Sequence, residues 1–128
     1  MLNVVVAILK RGRFYLTFFH VKDQSWSFPI GKAEEGESPD HAVMRELEEE
    51  IGVVANQLKY LGSHKDQLGT FHFYDIISWE GEPRNLEPEK AQDLGWRTVR
   101  GLPGPLGLGS RYAFIQHIAT ATKTQRCP

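Results

Sequence analysis

GKAEEGESPDHAVMRELEEEIGV, residues 31 to 53, decides how this chain is read. Ser38 suits a helix N-cap, and Pro39 suits the first helical position, where its missing N–H would have no partner in any case. Asp40 puts negative charge at the positive end of the helix dipole. Gly52 can take the left-handed conformation that ends many helices. The stretch therefore predicts a helix over 39–51. At about 100° per residue, Glu46, Glu49 and Glu50 share an arc of about 100°. Val43, Met44, Leu47 and Ile51 form an apolar arc beside it. Glu48 falls on neither arc and reads as a solvated surface residue.

Three carboxylates on one helix face repel each other. Arg45 offsets part of that repulsion. A hard divalent cation would offset the rest, because Mg²⁺ takes oxygen ligands and completes its shell with water and substrate phosphates. The ordinary reading of a run of glutamates is an acidic, solvated face. The spacing argues against it here. Gly31 is followed by five residues and Glu37, then by seven residues and Arg45-Glu46-Leu47. Glu49-Glu50 and Gly52-Val53 complete the pattern.

That pattern, G-x5-E-x7-R-E-U-x-E-E-x-G-U with U apolar, is the Nudix box. On it the chain resembles the Nudix hydrolase superfamily. Chance would fill every fixed position in a chain this long with a probability below roughly 10⁻⁶. The resemblance implies one Nudix domain over residues 1–128 with an α/β fold, an α/β/α sandwich holding a curved mixed sheet between helices. It implies hydrolysis of a nucleoside diphosphate linked to another group, by water attack on phosphorus with Mg²⁺ or Mn²⁺. Carried over by position, Glu49 and Glu50 match the principal metal ligands, and Glu46 matches a ligand or general base. Arg45 matches the arginine that orients these carboxylates, and Glu37 an acid linked to it. The Ile30 backbone carbonyl matches a further metal ligand. Most members have glycine there, whereas this chain reads Pro29-Ile30-Gly31-Lys32.

A second, narrower resemblance lies downstream. Residues 82–90, EPRNLEPEK, then Trp96 and the 101–106 stretch GLPGPL, resemble the EPKN-x-EPEK…W…LP-x-PL region of MutT-like enzymes, which act on nucleoside triphosphates. With the box, the resemblance covers about residues 26–106. It implies a loop glutamate that completes the metal site or acts as base, with Glu89 the first candidate and Glu87 the second. Typical members carry an aromatic where Leu94 stands. Lys32 is a candidate phosphate contact, beside its reading as a solvated lysine. His72 and Phe28 are candidate substrate-binding residues, beside their readings as a strand histidine and a core aromatic. The implied substrate is a nucleoside triphosphate, with oxidised ones such as 8-oxo-dGTP included. Three other substrates stay open: ADP-ribose, a nucleotide sugar and a dinucleoside polyphosphate. So does a non-catalytic nucleotide sensor. Homodimers are common in the family, and a homodimer stays open as well.

The composition is that of an ordinary globular domain, 41% hydrophobic and 24% charged over 128 residues. A net charge of −1 gives no reason to expect a nucleic-acid polymer or an anionic membrane as partner. Cys127 is the single cysteine, which excludes an intrachain disulfide and fits a reducing, cytoplasmic setting. The apolar run in MLNVVVAILKRGRF is too short to span a bilayer and lacks the flanks of a signal peptide.

Along the chain, Leu2 to Leu9 reads as a buried strand, residues 10–13 as a turn, and Phe14 to His20 as a second strand in hairpin with the first. Asp23 to Ser25 reads as a polar loop tip. Strands follow at Leu58 to Ser63, Thr70 to Trp79 and Leu94 to Val99. Residues 80–88 and 102–109 read as loops. Ser110 reads as the cap of a terminal helix through about Ala121, and the tail from Thr122 as frayed.

Overall fold

The chain forms a helix, α1, over Pro39–Ile51, the span its end signals predict. In this computed structural model, which describes residues 2–119, the Ser38 hydroxyl accepts a hydrogen bond from the His41 N–H at 3.2 Å. Gly52 closes the helix at φ 70°, and its N–H reaches the Glu48 and Leu47 carbonyls.

Among the described residues eight strands accompany this helix: β1 Leu2–Ile8, β2 Lys10–Arg11, β3 Phe14–His20, β4 Ser25–Ser27, β5 Ile30–Lys32, β6 Val54–Lys65, β7 Gly69–Glu80 and β8 Ala91–Arg97. One sheet has the order β5-β1-β7-β6. It is mixed, because β1 runs parallel to β7 while β5 and β6 pair antiparallel to their neighbours. The second sheet is built on β3, which pairs with β2, β4 and β8.

β1 is apolar on both faces because both faces are covered. Val5 and Ala7 pack with Ala42, Val43, Leu47 and Ile51 of α1. Burying a side chain such as Val43 or Leu47 stabilises by about 1.5–3 kcal/mol. Val4, Val6 and Ile8 face the other way, packing with Phe71, Phe73, Ala113 and Ile118. These last two lie on a terminal helix, α2, over Leu108–Ala113, which passes into a π-helical segment over Phe114–Ala119. The sheet thus lies between two helical layers, as an α/β/α sandwich requires. No helix among the described residues is long and apolar enough to cross a membrane.

Ser25, expected in a polar loop tip, is buried in β4, and the strand expected over Leu94 to Val99 runs over Ala91–Arg97. Three further expectations change. β1 and β3 do not form a hairpin along their lengths. The chain leaves the first sheet at Leu9, and only β2 folds back, through Gly12 at φ 57°, onto Phe14 and Tyr15. An apolar central strand gains more from two-sided burial than from the nearest hairpin partner. β6 and β7 are also longer than their apolar runs suggest, and the turn between them shrinks to residues 66–68. Ser110 does not cap the terminal helix, which starts after Gly107. Instead Ser110 is buried, and its hydroxyl accepts from the Phe28 N–H at 3.0 Å. The expected helix end near Ala121, the tail and Cys127 lie outside the described residues.

Candidate active site

Arg45 organises the N-terminal half of the site. Its Nε and Nη2 donate to the two carboxylate oxygens of Glu37 at 2.8 and 2.9 Å. Its Nη1 donates to Glu46 at 3.0 Å and Glu49 at 3.1 Å, and Nη2 also reaches the Lys32 carbonyl at 3.0 Å. The paired fork on Glu37 is the strong bidentate form of ion pair. Glu37 further accepts from the Glu34 N–H at 2.9 Å and contacts His41 Nδ1 at 2.6 Å. The Arg45 guanidinium, then the Glu34 N–H, hold the Glu37 carboxyl well below the usual carboxylate range. The helix start, the β5 main chain and two cluster acids are thereby fixed to one side chain.

Glu50, further along α1, is treated differently. Its Oε2 is buried and has no hydrogen-bond partner. Burial pushes this carboxyl well above the usual range, and the charges of Glu46 and Glu87 add to the shift. Glu46 is also raised, chiefly by burial, with Arg45 acting against it. Glycine at 31 is what lets Glu46 cross the edge strand β5. A Cβ on Gly31 would stand 2.2 Å from the Glu46 Cδ.

The loop after β7 docks on the end of α1. The Arg84 and Leu86 N–H groups donate to the Ile51 and Glu50 carbonyls, each at 3.0 Å. These are helix-end carbonyls that would otherwise need water. Asn85 then sets the loop's course. Its Nδ2 donates to the Ala91 carbonyl at 2.8 Å, and its Oδ1 accepts from the Glu87 N–H at 3.1 Å. The docking puts Glu87 within electrostatic reach of Glu46 and Glu50.

These acids open onto a cleft of about 670 Å³. Glu46, Glu50, Glu87 and Glu89 line one part of it, and Val4, Phe18, Ile30, Phe71 and Leu94 contribute apolar wall. Lys32 lines the mouth and is exposed. Glu49, the third helix acid, stays on Arg45 with its side chain 54% exposed and does not line the cleft. Both loop acids line the cleft, and Glu87 is the one whose charge acts on Glu46 and Glu50. Ile30 stands in β5 without a left-handed φ, so the glycine usual at this position is not needed for the backbone here. The Ile30 side chain reaches the helix start, where a Cβ on Gly109 would stand 2.9 Å from its Cδ1.

Two expected substrate contacts lie elsewhere. Phe28 is fully buried in the core beside α2 and does not line the cleft. His72 does not line it either. Side chains alternate along a strand, so Phe71 faces the cleft and His72 the opposite side, where it contacts Tyr60 at 3.0 Å and Asn3 at 3.2 Å. Sequence reasoning missed Asn85, whose signal was an asparagine two residues before a loop acid, the spacing of an Asx-turn. It also missed the hydroxyl of Ser25, which lines the cleft, is buried and has no partner.

The chain matches the NUDIX domain over residues 2–116. It belongs to the NUDIX family. Over 98 residues this Nudix hydrolase is 36% identical to the 8-oxo-dGTP diphosphatase of Haemophilus influenzae, spanning 70% of this chain and 72% of that one. It is 37% identical over 81 residues to the enzyme of the same name from Escherichia coli, spanning 59% of each. Its fold is similar to the crystal structure of a MutT NUDIX hydrolase from Burkholderia pseudomallei, with a TM-score of 0.79 and 30% identity over 90% of this chain and 96% of that one.

Nudix hydrolases are generally dependent on a divalent metal, and the residues here fit one. The orphaned Oε2 of Glu50 and the crowding of Glu46, Glu50 and Glu87 both call for positive charge. Among the described residues no three acid, histidine or cysteine side chains form a finished metal cage. Arg45 draws Glu46 and Glu49 to itself instead.

Proposed function

We propose that this Nudix hydrolase cleaves a nucleoside triphosphate to its monophosphate and pyrophosphate, using Mg²⁺ with Mn²⁺ as an alternative. The observation that carries this reading is the acidic cluster opening into a cleft with apolar walls. About 670 Å³ is ample for a nucleotide, with the phosphates at the acids and the base on the apolar side. The relatives named 8-oxo-dGTP diphosphatase support a triphosphate and put oxidised ones among the candidates. The single cysteine and the family's small-molecule chemistry suit a cytoplasmic setting.

Glu46, Glu50 and Glu87 would hold the cation, with Glu49 and Glu89 as further acids nearby and the Ile30 carbonyl as a main-chain ligand. Mg²⁺ bound there would neutralise phosphate charge and lower the pKa of a water. A glutamate, either Glu46, Glu49 or a loop acid, takes the proton from the attacking water. Arg45 keeps Glu46 and Glu49 oriented, and Lys32 meets phosphate at the mouth.

The test is product analysis by chromatography. The chain is incubated with Mg²⁺ and a panel of normal and oxidised triphosphates, ADP-ribose, nucleotide sugars and dinucleoside polyphosphates. Monophosphate plus pyrophosphate from one or a few triphosphates is the expected result. Turnover confined to ADP-ribose or a sugar nucleotide would overturn the triphosphate reading. Tight binding without turnover would replace it with a sensor.

A further inference from the structure

The acids of the cleft have a cation beside them. Lys90 Nζ donates to Glu87 Oε2 at 3.2 Å, and Lys90 lines the same cleft as Glu46, Glu50 and Glu87. Its charge acts on more than its partner, since it opposes the burial of Glu50 and feels Glu46 and Glu89. The link between the two residues is local. The Lys90 N–H donates to the Glu87 carbonyl at 2.9 Å, so one turn keeps the two side chains within reach of each other. The Lys90 side chain is 67% exposed, so it is free to leave.

Resting on the function proposed above, we infer that Lys90 is a resident counter-ion which the divalent cation displaces from Glu87, and which then contacts the substrate phosphates. A divalent ion and an ammonium compete for the same carboxylate oxygens. The freed ammonium lies beside the cluster where the phosphates arrive. One side chain would then weaken metal binding in the free enzyme and strengthen nucleotide binding in the loaded one. A solvated surface lysine would do neither.

The test is calorimetric titration of the nucleotide-free protein with Mn²⁺, then of the Mn²⁺-loaded protein with a dGTP analogue carrying a methylene between the α and β phosphates. Lys90→Met should bind Mn²⁺ about twofold to fivefold more tightly and the analogue about tenfold more weakly. Lys90→Glu should move both further, and Lys90→Arg should restore both towards wild type. Unchanged Mn²⁺ affinity in both Lys90→Met and Lys90→Glu would overturn the inference. So would a parallel loss of both affinities in Lys90→Met, which would make Lys90 a brace for the loop. A wild type that hydrolyses no triphosphate overturns the proposed function instead, and the Mn²⁺ comparison still decides the counter-ion.

Discussion

Glu37 and Glu50 flank the two ends of α1 and are handled in opposite ways. Glu37 receives two hydrogen bonds from Arg45 and one from the Glu34 N–H, and its proton affinity falls. Glu50 is taken out of water with one oxygen unpaired, and its proton affinity rises. Both lie in the same motif, so charge alone does not explain the difference. A paired carboxylate is scaffolding, and its stabilisation is already spent within the fold. An unpaired buried one costs stability until something positive arrives, which is how a functional group is held in readiness.

The largest expected effect comes from Glu50→Gln. Turnover should fall by about 10²–10⁴-fold in a protein that still folds, as initial rates and a melting curve would show. Retained turnover would make the two acids equivalent and break the contrast. Arg45→Met attacks the scaffold end. It leaves Glu37, Glu46 and Glu49 without their shared donor, so stability should fall by about 1–3 kcal/mol and turnover by about 10–100-fold. Denaturant titration beside rate measurement separates the two. Glu87→Gln against Glu89→Gln sharpens the loop assignment. The first should lose about 10–100-fold in turnover and the second far less; the opposite order would restore Glu89. The apparent Mg²⁺ affinity of the wild type, followed by calorimetry, should fall with acid from above the ordinary carboxylate range, because in the metal-free protein Glu46 and Glu50 are both raised and must ionise to bind the cation. The smallest effect is Ser38→Ala, which should cost about 1 kcal/mol through the lost cap and leave kcat unchanged.

What the sequence made legible was local. The caps of α1 and the shared face of Glu46 and Glu50 follow from helix geometry and from residues within a turn of each other, whereas Glu49 on the same arc is held by Arg45 outside the cleft. The pairing of β1 was not legible, because its partners Gly69 to Asp75 are distant in sequence. The side on which Phe28 and His72 fall depends on which sheet face a cleft occupies, and periodicity does not say which face that is. Which loop acid acts on the helix acids was hidden for a related reason. It depends on two loop N–H groups docking at the end of α1, which spacing cannot show. The glycines at 107 and 109, which resemble no phosphate loop, are explained by close approach. A Cβ at Gly107 would stand 2.7 Å from the Ser25 hydroxyl, and one at Gly109 would press on Ile30 and Phe71.

The most direct test of the central claim, that Glu50 is a buried acid with one unpaired oxygen awaiting a cation, is the melting temperature of wild type and Glu50→Gln as a function of pH, with and without Mg²⁺. A carboxyl whose folded pKa is raised favours the folded state at low pH, and that stability is lost as pH rises from the ordinary value of 4.5 through the raised one. Without Mg²⁺, the wild type should therefore lose stability relative to Glu50→Gln as pH rises, ending several degrees or about 2–6 °C below it. Saturating Mg²⁺ should narrow that gap by binding the folded wild type more tightly than the folded variant. Parallel curves for the two proteins, unmoved by Mg²⁺, would contradict the account.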